Sequence, residues 1–98
     1  MPRVGWSRDA LDDLDEAIAH IGFDAPKSAH LVLDRIEAAV DLLAETPAGR
    51  MGRVSGTYEW HVRQTPYIIA YSLTDETLNI LRVIHGARDW PEGEWPAE

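Results

Sequence analysis

The stretch TYEWHVRQTPYIIAYSLTDETLNILRVIH, residues 57–85, decides how this chain folds. Its first part alternates: Tyr58, Trp60 and Val62 fall on one face of an extended chain, and Glu59, His61 and Arg63 on the other. The pairs and quartets TP (65–66) and TDET (74–77) interrupt the run with residues that favour turns. The segments YIIAYSL and LNILRVIH are rich in β-branched and aromatic side chains, which fit a pleated, half-buried surface. The stretch therefore predicts a three-strand meander joined by short hairpins.

Towards the N-terminus the period changes to that of a helix. Leu11, Leu14, Ile18 and Ile21 recur at +3, +4 and +3, one apolar stripe. Ser7 is a suitable N-cap, Asp9 suits the positive end of the helix dipole, and Gly22 suits a stop. Asp24 and Pro26 start a second helix whose buried face is Ala29, Val32, Leu33, Ile36, Val40 and Leu43, and TPAG (46–49) ends it. The short connection makes the two helices an antiparallel hairpin. RVGW (3–6) reads as a short strand free to join the sheet. Neither layer can bury its apolar face alone. The expected fold is α+β, an antiparallel helix hairpin packed on a small antiparallel sheet in the order β-α-α-β-β-β. One domain spans residues 1–98, with 90–98 as a short C-terminal tail.

Composition narrows the function classes. Apolar residues are 45% and charged residues 27% of the 98, the balance of a single folded domain. The absence of cysteine excludes disulfides and thiolate chemistry. The opening MPRVGWSRDALDD lacks the apolar segment of a secretory signal, and no run reaches the length of a membrane span, so a cytoplasmic protein is expected. The net charge of −8 is uneven. Residues 7–46 carry ten acids against Arg8, Lys27 and Arg35, whereas residues 47–88 carry Arg50, Arg53, Arg63, Arg82 and Arg88 against Glu59, Asp75 and Glu76. The acidic half reads as solvated helix faces. The chain as a whole repels phosphate, so sequence-specific DNA binding by it alone is not expected, but its second half offers a local basic surface.

These residues resemble the RelE/ParE superfamily, toxins of bacterial type II toxin–antitoxin modules. The likeness spans roughly residues 3 to 91 and is carried by SRDALDDLDEAIAHI, LLAETPAGRMGRVSGTYEWHV, YIIAYSL and, above all, ILRVIHGARDWP. It implies a small cytoplasmic toxin restrained by a cognate antitoxin. RelE-like members cut mRNA in the ribosome, and ParE-like members poison DNA gyrase; residues 80–91 look closer to the ParE-like side.

Ribonuclease chemistry needs cations for the phosphorane and a group to move protons. Arg63, Arg82 and Arg88 are the candidate cations, and His85 the candidate acid or base. Against this, Trp90 follows GARD where the family's ribonucleases usually place a tyrosine or histidine. The one lysine, Lys27, sits on the acidic hairpin, and Tyr58 replaces the basic residue common before the glutamate. Arg82 lies in an apolar run, so its charge must pair or snorkel to water, with a structural pair to Glu59 the preferred reading. The histidines lack ligand spacing, so neither metal nor cofactor is expected.

The resulting expectation is a gyrase-binding toxin without catalytic residues. A ribosome-dependent endoribonuclease acting on mRNA is the alternative, and an inactive relic that only binds its antitoxin is a third. Arg50, Arg53, Arg63, His85, Arg88, Trp90 and Trp95 are the candidate contacts to target or antitoxin. Trp90 is expected to fold back on the sheet and Trp95 to anchor a partner. An edge strand and the groove between helices and sheet are the expected antitoxin sites.

Overall fold

The computed structural model describes residues 3–46, 49–52 and 55–86. Strand β1 (Arg3–Trp6) leads into helix α1 (Arg8–Asp24) and helix α2 (Pro26–Glu45). Strands β2 (Arg50–Met51), β3 (Tyr58–His61), β4 (Tyr67–Thr74) and β5 (Thr77–His85) follow. The sheet order is β1-β5-β4-β3-β2. The meander read from residues 57–85 is present, with Ile69 opposite Val83 and Trp60 opposite Ile69 in adjacent antiparallel pairs. The two-layer α+β reading holds, with two refinements: the short β2 adds a strand to the expected β-α-α-β-β-β order, and the sheet is not wholly antiparallel. β1 joins β5 in parallel, Val4 beside Leu78 and Trp6 beside Ile80, so the sheet is mixed.

Ser7 makes the passage from strand to helix. Its backbone N–H donates to Ile80 O at 2.9 Å and its hydroxyl to Leu81 O at 2.7 Å, while the same oxygen accepts from Ala10 N at 3.0 Å. One serine thus caps α1 and stitches it to β5. The buried stripe of α1 differs from the expected one. Ala10 and Ala17 are buried, Leu14 and Ile21 pack beside them, and Leu11 remains 44% exposed. Alanines let the helix axis approach the sheet, which turns Leu11 away from it. Gly22 does not stop α1, which continues to Asp24; the chain breaks at Ala25 because Pro26 opens α2.

The core lies between the helices and one sheet face, where Ile36, Val40 and Leu43 of α2 meet Val62, Ile69, Tyr71, Leu78, Ile80 and Val83. Ala70, Ile84 and Ile68 form a smaller cluster of their own. A register shift between Ala70 and Tyr71 interrupts the β4–β5 ladder. The β4–β5 hairpin closes over Asp75, whose φ of 53° is a conformation that aspartate tolerates.

Candidate functional site

The arginines of the second half are placed in quite different surroundings. Arg82 lies on β5, where β1 has ended and the strand's outer edge would be open. Asp13 of α1 fills that position. Its carboxylate accepts from Arg82 Nε at 2.7 Å, from Arg82 Nη2 at 2.9 Å and from the Val83 backbone N–H at 3.0 Å. The two side chains are only 12% and 11% exposed. The forked geometry matches guanidinium to carboxylate and blocks the strand edge at once. Arg82 is paired, one of the two outcomes open to a charge in an apolar run, and Asp13, a partner not named from the sequence, holds it. Glu59 stands in the same cross-strand row, on the far side of Ala70, whereas the carboxylate gripping Arg82 comes from the helix layer.

Arg63 meets the opposite fate. It sits exposed in the turn between β3 and β4. That turn is tightly built: Thr65 Oγ1 donates to Val62 O at 2.9 Å and accepts from Tyr67 N at 3.1 Å. His61 Nε2 donates to Thr65 O at 2.7 Å, and Val62 N to Tyr67 O at 2.9 Å. Gln64 is held at φ 60°, a left-handed conformation unusual for a glutamine. Its carbonyl accepts from Arg35 Nη1 of α2 at 3.2 Å. Between turn and helix runs an open groove of about 300 Å³, lined by Arg35, Ala38, Ala39, Leu42, Trp60, Arg63 and Gln64.

His85 ends β5 at the same end of the sheet as this turn. It is half-buried and meets the Tyr67 ring edge-on, with centroids 5.4 Å apart, and Gly86 N donates to Pro66 O at 2.6 Å. Register therefore gathers Arg63 and His85 at one end of the sheet and directs Arg82 to α1. Tyr58 and Trp60 pack partly buried against the core. Arg53, Arg88, Trp90 and Trp95, the tail 90–98 and the side chain of Arg50 lie outside the described residues.

At the other end of β3 the chain is pinned by a tyrosine. Tyr71 Oη accepts from Gly49 N at 2.8 Å and its ring stacks on Tyr58, centroids 5.5 Å apart. Burial pushes the Tyr71 hydroxyl up from the usual tyrosine value, the Gly49 N–H draws it back and Tyr58 adds to the rise. A Cβ on Gly49 would lie 2.5 Å from Tyr71 Oη and 2.8 Å from Glu59 O. Only glycine lets β2 pass there, with Arg50 opposite Glu59.

Asp13, Arg35 and Gln64 were missed by sequence reading. Asp13 sits beside the stripe of Ala10, Leu14 and Ala17, and those small residues were a usable sign that α1 runs close to a strand there. Gln64 gives no comparable sign. Among the described residues no cluster of three or more potential ligands could hold a metal ion, and no helix is long and apolar enough to cross a membrane.

A family model described as ParE toxin of type II toxin–antitoxin system, parDE, matches residues 4–90. The chain is 44% identical over 91 residues to Y4kP of Sinorhizobium fredii, covering 92% of this chain and 94% of that protein. It is 36% identical over 89 residues to toxin RelE2 of Caulobacter vibrioides, covering 90% and 99%. A structure of the chromosomal ParDE system from P. aeruginosa superposes with a TM-score of 0.78 at 26% identity, covering 87% of this chain and 96% of that one. The intact E. coli RelBE toxin–antitoxin complex shares the fold, with a TM-score of 0.66 at 15% identity and coverage of 90% and 100%.

Proposed function

The chain belongs to the ParE toxin family of type II toxin–antitoxin systems, within the ParE/RelE superfamily, and from that premise we propose that it binds and inhibits DNA gyrase and is neutralised by a cognate antitoxin. Both partners place its action in the cytoplasm. The observation that carries this reading is the state of Arg82. A ribonuclease needs guanidinium groups free to face a phosphate as charge develops. Asp13 holds Arg82 bidentately and supplies the opposite charge, which competes with any phosphate for that guanidinium. The lone lysine and the net charge of −8 weaken docking on ribosomal RNA further. In this reading the chain carries no catalytic residue; its contacts to gyrase come from the basic and aromatic surface around Arg50, Arg53, Arg63, His85, Arg88, Trp90 and Trp95.

A second reading, ribosome-dependent mRNA cleavage, draws on the placing of Arg63 and His85 at one end of the sheet, with Arg88 as the further cation. Pulse-labelling after induction of the chain alone in a bacterium separates the two. Early arrest of DNA synthesis, with loss of gyrase supercoiling by the purified chain, is the expected result. Early arrest of protein synthesis would transfer the function to Arg63 and His85. If neither synthesis stops, the chain is a binding module that retains antitoxin recognition alone.

A further inference from the structure

The groove between α2 and the β3–β4 turn joins an apolar floor to two cations. Ala38, Ala39 and Leu42 of α2 make the floor, and Trp60 of β3 makes a wall. Arg35, Ala38, Ala39 and Leu42 follow one another at +3, +1 and +3, so all four fall on one strip of the helix. The two alanines leave space that larger side chains would fill. Arg35 and Arg63 stand at its edge. Among the described residues no carboxylate lines the groove, although α2 carries Asp34, Glu37, Asp41 and Glu45. The helix turns those acids to other sides.

The way these cations are held supplies the second observation. Gln64 is left-handed, a conformation that persists only when its surroundings enforce it, and the turn it belongs to carries Arg63 at the rim. Arg35 Nη1 donates to Gln64 O, which uses one of the five N–H donors of a guanidinium. Gln64 apart, every polar side chain on the lining, Arg35, Trp60 and Arg63, can only donate. A matching ligand must therefore bring acceptors and negative charge. The space, about 300 Å³, is at the small end of ligand sites and suits one or two rings. A chain of net charge −8 repels a dianion more than a monoanion, which favours a carboxylate over a phosphate.

We propose that this groove is a binding site for a small aromatic carboxylate. The ring lies over Ala38, Ala39 and Leu42 against the Trp60 indole, where aromatic contact adds to burial. The carboxylate accepts from Arg63 and from the remaining donors of Arg35, a charge-assisted and directional match. Bound in this way, the ligand bridges α2 and the β3–β4 turn and stabilises the folded chain by mass action. The site stands on its own lining and does not depend on the toxin reading.

The test titrates the full chain with benzoate, followed by nitrogen–proton correlation spectra. Saturation of a single site below about 10 mM is expected, with shifts at Ala38, Leu42, Arg63, Gln64 and the Trp60 indole N–H. Trp60→Phe assigns that indole signal by removing it. Ala38→Leu fills the floor at an exposed helical position, and Arg63→Ala removes the rim cation. Each is expected to weaken binding at least tenfold with an unchanged circular dichroism spectrum. Arg8→Ala, an exposed arginine of α1, keeps wild-type affinity and so separates the groove from bulk charge. Benzamide, which keeps the ring and loses the charge, is expected to bind at least tenfold more weakly. The absence of any shift with benzoate overturns the proposal, as does binding that survives Ala38→Leu. Equal binding of benzamide, or wild-type affinity in Arg63→Ala, overturns the carboxylate assignment.

Discussion

Arg82 and Arg63 are the same residue type on neighbouring parts of one sheet, and the fold uses them in opposite ways. Arg82 is enclosed, with Asp13 at 2.7 Å, and its charge is spent on joining α1 to β5. Arg63 stands exposed on a turn whose hydrogen bonds shape it, and its charge faces a groove. The difference teaches that a list of basic residues is a poor guide to an anion-binding surface. Position relative to the helix layer decides which cations remain available.

The largest effect that tests this contrast is expected at Asp13. Replacing it with alanine removes the bidentate partner of a nearly buried guanidinium and the acceptor of Val83 N–H. The loss should be about 3 kcal/mol, the lower end for breaking a buried pair. Asp13→Asn keeps an acceptor for the amide and should recover part of it. Urea unfolding monitored by tryptophan fluorescence measures both. A loss under about 1 kcal/mol would place Arg82 in the same class as a surface arginine and erase the contrast.

Gly49→Ala should come next. The added Cβ meets Tyr71 Oη and the Glu59 carbonyl, and backbone cannot yield as a flexible side chain would. About 2 kcal/mol is expected, or roughly 10 °C in Tm for a domain this small. An unchanged melting curve would mean that β2 is not seated on Tyr71. Tyr71→Phe isolates the hydrogen bond itself and should cost about 1 kcal/mol. It also changes the alkaline limb. Because burial raises the Tyr71 hydroxyl in the folded state, its contribution is fully present below the unfolded value of about pH 10 and is lost as pH rises through the higher folded value. The phenylalanine variant should lack that component of the decline, read as Tm against pH above 9 to 11 (~) in matched buffers.

Much of this architecture is legible in the sequence because it rests on local period. The alternation at 58–62 and the helical stripe of α2 identify both layers, and the need for Arg82 to pair or reach water follows from its apolar neighbours. What is not legible is long-range choice. β1 joins β5 across more than seventy residues, and no local pattern in RVGW specifies parallel pairing. Asp13 is one acid among several in DDLDE, and only the closeness of α1 to β5 singles it out from Asp12 and Asp15. The groove is hidden for a similar reason. Its walls come from α2, β3 and a turn, and its decisive residue, Gln64, takes a backbone conformation that glutamine rarely adopts.

The smallest expected effect on stability sharpens the contrast from its other end. Arg63→Ala removes a charge that is exposed and lies outside the core, so its unfolding free energy should stay within about 0.5 kcal/mol of wild type. The turn keeps its shape because its hydrogen bonds run through His61, Val62, Thr65 and Tyr67, none of which needs the Arg63 side chain. Stability and interaction therefore separate at this residue, whereas at Asp13 they cannot. Urea unfolding and benzoate binding, measured on the same preparation, give the two numbers. If Arg63→Ala destabilises the chain as much as Asp13→Ala does, both arginines belong to architecture, and the groove loses its claim to be a surface kept free for a ligand.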